Sequence, residues 1–178
     1  MEWFSDLLLP FGFAGVGQDM RGTEMSEGNF TMWQADKFDS KDLGDWIVSQ
    51  SWSNGEIYTI GASADGIGSL QTVKTNPKWL KGQYIIWCTS EAFEFMFPGG
   101  TYKQQTAEDW LKGLTMPNPD YVNTDIEIVH QNEAYTDWWA GVEVSDEQFG
   151  LVDYPTGVFA GWYDLFLQGS ISAWRGFN

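Results

Sequence analysis

Chemistry that needs clustered cysteine or histidine has little to work with here. The sequence holds one cysteine, Cys88, and one histidine, His130. A single cysteine excludes an internal disulfide, and the pair cannot supply the Cys/His ligand set of a zinc centre. No metal or cofactor is expected. Base is scarce as well: 9 Lys and Arg stand against 25 Asp and Glu, for a formal charge of −16. Such a chain repels phosphate backbones and anionic lipid surfaces, so neither nucleic acid nor a membrane is an expected partner. No apolar run reaches the about 20 residues of a membrane-spanning helix. The opening Met1-Glu2-Trp3-Phe4-Ser5-Asp6 carries acid and no base, unlike a signal peptide. These absences predict a soluble chain and leave its compartment open.

What is present suits one globular domain. The 178 residues are 43% hydrophobic and 19% charged, outside the disordered range. Aromatics make up 17%, with 11 Trp, enough both to fill a core and to line a pocket for apolar or ring-bearing ligands. Cys88 closes the apolar run Tyr84-Ile85-Ile86-Trp87-Cys88, which predicts a buried, unreactive thiol.

Along the chain, Phe13 to Gln18 reads as a buried strand that runs into the charged corner Asp19-Met20-Arg21-Gly22. Asp36 to Gln50 has helical spacing, with Phe38, Leu43, Trp46 and Ile47 able to share an inward face. Ile57 to Ile60 is β-prone, Ile67 to Val73 is helix-like, Asn76-Pro77 is a break, and Leu80 to Cys88 is a second strand pattern. This alternation predicts an α/β fold with a mostly parallel sheet and flanking helices. Residues 89–150 change character. Thr106 is a candidate cap for a helix through Trp110-Leu111, Met116-Pro117-Asn118-Pro119 marks a loop, and Ala134 to Gly141 is aromatic and helical. This region reads either as a mainly helical insertion over a cleft or as an ordinary helical layer. Strand character returns at Thr156 to Gly161, and a helix is expected over Leu165 to Trp174.

Two places carry candidate chemistry. Gly61-Ala62-Ser63-Ala64-Asp65-Gly66 follows the Ile57–Ile60 strand. A serine among small residues at that point is the pattern of a nucleophile elbow, although the strict G-x-S-x-G fails because Asp65 stands where the second glycine belongs. The alternative is a polar turn. In the elbow reading Ser63 is the nucleophile and the Ala64 backbone N–H an oxyanion donor. Asp164, after a later strand, fits the serine-then-acid order of α/β-hydrolases, or equally an acid at a helix N-terminus. A general base is the missing part. His130 precedes Asp164 and reads as a structural or surface histidine, and no histidine follows Asp164.

The chain resembles the Xaa-Pro dipeptidyl-peptidase-like family of serine hydrolases, the group of cocaine esterase and the α-amino-acid ester hydrolases. Asp19-Met20-Arg21-Gly22 with Ser26-Glu27-Gly28 matches the family's D-x-R-G…S-x-G. Asp45-Trp46-Ile47 through Gln50, Trp52 and Gly55 matches the run before the nucleophile. Gly61 to Gly66 matches G-x-S-x-x-G, offset included, and Gly161-Trp162-Tyr163-Asp164 with Phe166 matches G-W-Y-D-x-F. His130 and Asp137-Trp138-Trp139 sit like the family's cap motif. Ala64 departs from the family's usual tyrosine, Asp65 is an unusual charge, and Gln131 stands where proline is expected.

The resemblance implies an α/β-hydrolase fold, incomplete in this chain. Residues 1–88 would be the N-terminal part with the elbow, 89–150 a helical cap, and 151–178 a return to the core with the triad acid. It implies Ser63 as nucleophile, Asp164 as triad acid, the triad histidine absent from the chain, and an ester or amide of a small molecule or short peptide as substrate. By that reading these residues alone form an inactive fragment. The alternative is a non-catalytic relative that binds an aromatic or apolar ligand. A glycosidase using two of the many carboxylates has no spacing to support it.

Overall fold

The structure, a computed structural model, describes residues 6–114 and 125–178. Its centre is a parallel three-stranded sheet in the order β1 (Ile57–Ala62), β2 (Leu80–Ile86), β3 (Thr156–Phe159). The register pairs Ala62 with Ile86 and Ile86 with Phe159, so the carboxyl ends of all three strands lie along one edge. A parallel pair needs a crossover, and the sequence supplies one: α2 (Ala64–Leu70) starts two residues after β1 and runs into a 3-10 turn at Gln71–Thr75. Asn76 ends that turn in the left-handed region at φ 37°, the break expected before Pro77. α1 (Asp36–Val48) precedes β1, and α8 (Leu167–Gly176) follows β3.

Between β2 and β3 lie α3 (Ala92–Met96), α4 (Gln104–Gly113), α5 (Asp125–Gln131), α6 (Asp137–Val142) and α7 (Asp146–Phe149). The helical character expected for residues 89–150 is therefore present in their described part. The Met116–Pro119 loop lies outside the described residues. α4 begins three residues earlier than a Thr106 cap requires, with Lys103 at the N-cap position. The core forms where these helices meet one face of the sheet. Leu70, Val73, Ile85, Met96, Phe97, Leu111, Val129 and Trp139 are all buried there. Each large side chain removed from water contributes about 1.5–3 kcal/mol.

Three side chains from the sheet side fasten α6. Gln34 Nε2 donates to the Trp138 carbonyl at 2.7 Å, Lys74 Nζ to Gly141 at 2.6 Å, and Gln71 Nε2 to Val142 at 2.7 Å. Carbonyls in a helix's last turn have no intrahelical donor, so Lys74 and Gln71, from α2's continuation, complete those of Gly141 and Val142, while Gln34, from the segment before α1, adds the bond to Trp138. The sheet's other face is open among the described residues. Tyr58, Tyr84 and Phe159 project from it about half exposed.

Two expectations are corrected. Phe13 to Gln18 forms no strand; it lies exposed and makes no ladder bond, with only the Phe13 ring edge-on to Tyr58 at 5.8 Å. An extended apolar run becomes a strand only when a neighbour accepts its hydrogen bonds, and none of β1–β3 does. The inward face of α1 also differs. Phe38 is 58% exposed and Trp46 52%, while Asp36 and Gly44 are the buried positions. Helix α1 approaches through its glycine: a Cβ at Gly44 would sit 2.0 Å from Trp79 Cζ2. The indole N–H of Trp79 donates to Asp45 across the same contact at 2.9 Å. Gly44→Ala should therefore lower stability by about 1–3 kcal/mol through overpacking. Urea unfolding followed by circular dichroism checks this, and an unchanged midpoint would show that the helix does not rest on Trp79.

Candidate active site

The turn from β1 into α2 is tight because two residues lack a side chain. A Cβ on Gly61 would lie 2.4 Å from the Asp65 carbonyl oxygen. A Cβ on Gly66 would lie 2.8 Å from the Cys88 Cβ. Both clashes involve groups that cannot swing away, so the glycines of G-x-S-x-x-G are steric requirements. The second falls one place late because it is position 66, one place beyond the usual glycine, that meets the chain leaving β2.

Ser63 occupies the turn between them with φ 56° and ψ −126°, a region that costs a non-glycine residue on the order of 1–3 kcal/mol. The conformation is held from both sides. The Ser63 N–H donates to Ile86 O at 3.0 Å, and the Ile67 N–H donates to Ser63 O at 3.1 Å. Ser63 is the N-cap of α2, yet its hydroxyl does not cap the helix. A serine at this position ordinarily spends its oxygen on the second or third amide of the helix.

Asp164 lies after β3, on the same edge of the sheet, half-buried. Its Oδ1 accepts from the Phe166 N–H at 2.7 Å, which fixes the carboxylate at the entry to α8. Leu165 and Phe166, the next two residues, help line a cleft of about 160 Å³ with Glu91, Glu94, Phe95 and Lys103. Cys88, after β2, lies between the two ends. Burial pushes its thiol up to about 12, with the charge of Asp164 adding to the effect, so it remains a neutral packing group as the apolar run predicts.

His130 makes its contacts among the helices between β2 and β3. It sits on α5, exposed, with Nδ1 3.0 Å from Glu133 and Nε2 3.7 Å from Glu108, and its ring edge-on to Tyr102. The bond to Glu133 raises its pKa. The charged corner of the D-x-R-G motif is a closed loop. Arg21 Nε donates to Asp39 at 2.9 Å and its second nitrogen pairs with the other oxygen, while Ser26 Oγ donates to the Asp19 carbonyl at 2.8 Å.

Two residues that pattern reading passed over lie against the elbow. The Trp33 indole N–H donates to the Ala64 carbonyl at 2.9 Å. Asp36 is only 8% exposed, and its Oδ2 lies 2.9 Å from where a Gly68 Cβ would be. Burial pushes its carboxyl up to about 7, with Asp39 reinforcing and Arg21 opposing. Burial also raises Asp65, with the charge of Asp19 adding to it. Neither contact has a local signature, since both join segments about 30 residues apart.

Against this geometry the comparisons with known proteins are decisive for family. The model of the X-Pro dipeptidyl-peptidase (S15) family matches residues 2–127. The chain belongs to that family. Among curated relatives it is 29% identical over 101 residues to cocaine esterase from Rhodococcus, covering 56% of this chain and 18% of that protein. It is 32% identical over 175 residues to a Mycobacterium bovis protein provisionally named a serine esterase, covering 90% of this chain and 26% of that one. A CocE/NonD family hydrolase from Staphylococcus aureus superposes with a TM-score of 0.78 at 24% identity, over 88% of this chain and 29% of that structure. An α-amino acid ester hydrolase gives 0.69 at 17% identity, over 97% and 36%. The fold is that of the α/β-hydrolases, of which the described residues form a part. The chain spans about a fifth to a quarter of the length of these two curated relatives.

A pH prediction follows from Asp36. Its folded pKa lies above the unfolded value, so the protonated form is favoured by folding, and the stability it contributes at low pH is lost as pH rises from about 4 to about 7. Asp36→Asn removes that loss. The stability of the variant relative to wild type should rise across this window by at most about 4 kcal/mol. Urea titrations at pH 4, 6 and 8 measure it, and a constant difference would show that Asp36 ionises normally.

Proposed function

We propose that this S15-family chain carries the nucleophile and the acid of a serine hydrolase that cleaves an ester or amide bond in a small molecule or short peptide. The observation that carries the reading is Ser63: a non-glycine residue with positive φ between a parallel strand and its crossover helix, whose hydroxyl caps nothing. Strain of this kind persists where the surrounding structure over-determines it, and it holds the side chain clear of the backbone.

In the proposed reaction a general base takes the proton from Ser63 Oγ as the oxygen attacks the substrate carbonyl. The developing oxyanion accepts a hydrogen bond from the Ala64 N–H. The protonated base then delivers its proton to the leaving group, and water repeats the sequence to release the acid and free Ser63. Asp164 orients the base and stabilises its charged form. His130 is engaged by Glu133 and Glu108, so the base is assigned to a histidine outside residues 1–178. Residues 1–88 and 151–178 would then form the catalytic layer, and 89–150 a helical cap over it. Without their base, these residues alone should be nearly inactive, because loss of a triad member costs several powers of ten in rate.

Exogenous imidazole tests the assignment. A fluorophosphonate probe should label residues 1–178 slowly, and imidazole should accelerate labelling at Ser63 by about ten- to a hundredfold, within the range that general-base action contributes. Ser63→Ala should abolish the signal on mass-spectrometric mapping, and His130→Ala should leave it unchanged. Labelling that ignores imidazole and survives Ser63→Ala would favour a non-catalytic relative that binds apolar or ring-bearing ligands.

A further inference from the structure

The elbow has a support that neither its motif nor its family pattern identifies. Met32 and Trp33 are consecutive non-glycine residues in the left-handed region, with φ 45° and 64°. Both are almost wholly buried, at 0% and 3% exposure. Two adjacent outliers of this kind persist only where packing over-determines them, and such strain tends to collect at functional sites. Here its consequence is the direction of one indole. The Trp33 ring stacks on Trp110 of α4 with centroids 5.2 Å apart and planes 3° from parallel. Phe30 abuts Trp110 edge-on at 6.3 Å. So held, the Trp33 N–H reaches the Ala64 carbonyl at 2.9 Å, and Cδ1 lies 3.8 Å from where a Gly68 Cβ would be, beside the first turn of α2.

Ala64 is the residue whose amide faces the attacked carbonyl in the reading above. Its N–H belongs to the peptide shared with Ser63, and its carbonyl to the peptide shared with Asp65. The Ser63 N–H bond to Ile86 anchors the entering strand. An anchor on the Ala64 carbonyl fixes the leaving side, so the peptide between them cannot rotate. We propose that Trp33 is a positioning residue for the elbow: its indole N–H, aimed by the stack on Trp110, holds the Ala64 carbonyl and so orients the Ala64 amide beside Ser63. The functional half of this inference rests on the proposed role of Ser63. The mechanical half does not. Trp110 lies in α4, so the position of α4 is transmitted to the elbow through one aromatic stack and one hydrogen bond.

Amide hydrogen exchange on residues 1–178 tests the mechanical half. Trp33→Phe keeps a ring for the stack and loses the donor. Exchange at the Ser63 and Ile67 amides, both bonded across the elbow, should accelerate by about tenfold or more, while the Gln83 amide in β2 stays within about twofold. Trp110→Leu keeps the donor and loses the stack, and it should accelerate the same two amides by a smaller factor. In the imidazole-supported labelling assay, Trp33→Phe should lower the maximal labelling rate at Ser63 with the apparent affinity for the probe unchanged. Unaltered exchange at Ser63 and Ile67 in Trp33→Phe, or equal acceleration at Gln83, overturns the proposal. If Ser63 fails to label in every variant, the catalytic reading fails, and the exchange pattern still decides whether Trp33 pins the elbow.

Discussion

Helix α2 can begin two residues after β1 only because the backbone at Gly61 touches the carbonyl of Asp65 and the backbone at Gly66 touches Cys88. Everything near the candidate site depends on that approach. It forces Ser63 into its positive φ, because the chain must reverse from strand to helix in one residue. It brings Cys88 under the turn, its Cβ 2.8 Å from where a Gly66 Cβ would be. It also leaves the first turn of α2 close enough for Trp33 to bond to Ala64. The strain at Ser63 is therefore offset by contacts from three separate segments, and a residue with a Cβ at either glycine would disturb all of them together.

Electrostatics around this turn run against the chain's overall character. The sequence carries a formal charge of −16, and Asp19, Asp36, Asp39 and Asp65 all gather near the elbow. Crowding is relieved in two ways. Arg21 takes Asp39 in a two-point pair. Burial makes Asp36 reluctant to ionise, so fewer negative charges face one another below neutral pH. On the far side of α2 the clamp on α6 combines Lys74 with two glutamines. Burial lowers the Lys74 pKa to about 8, with Lys37 adding and Glu143 opposing, so the clamp's ammonium keeps its charge at neutral pH.

Much of this was legible in the sequence where local pattern and physical cause coincide. The three strands announce themselves by β-branched and aromatic runs ended by small residues, and their alternation with helical spacing is sufficient for a parallel α/β sheet. Gly61-x-Ser63-x-x-Gly66 is legible because sterics write it into consecutive positions. The face of α1 is not legible because apolar spacing assumes that a helix packs through large side chains, whereas this one packs through Gly44 against an indole. Phe13 to Gln18 has the pattern of a strand without being one, because a strand is defined by its partner. Trp33 and Asp36 stayed hidden for a different reason. Their roles arise from contacts with the first turn of α2 some thirty residues away, and nothing in their immediate neighbours records it.

The proposed pairing of Ser63 with Asp164 also has to satisfy a distance. Neighbouring strands lie about 4.8 Å apart, so the ends of β1 and β3, separated by β2, stand about 10 Å from each other. An imidazole making one hydrogen bond of about 2.6–3.2 Å at each nitrogen covers a gap of that size once the side chains of serine and aspartate lean toward it. Ser63 directly follows the last residue of β1, whereas Asp164 comes five residues after β3, on a loop turned by the Asp164 N–H bond to Gly161 and the Phe166 N–H bond to Asp164. The strand between them ends at Ile86 and continues into Trp87-Cys88, which offers no titratable competitor at neutral pH, since the Cys88 thiol is held protonated by burial. A base entering over β2 would meet an acid fixed by its own backbone on one side and a serine free of capping duty on the other.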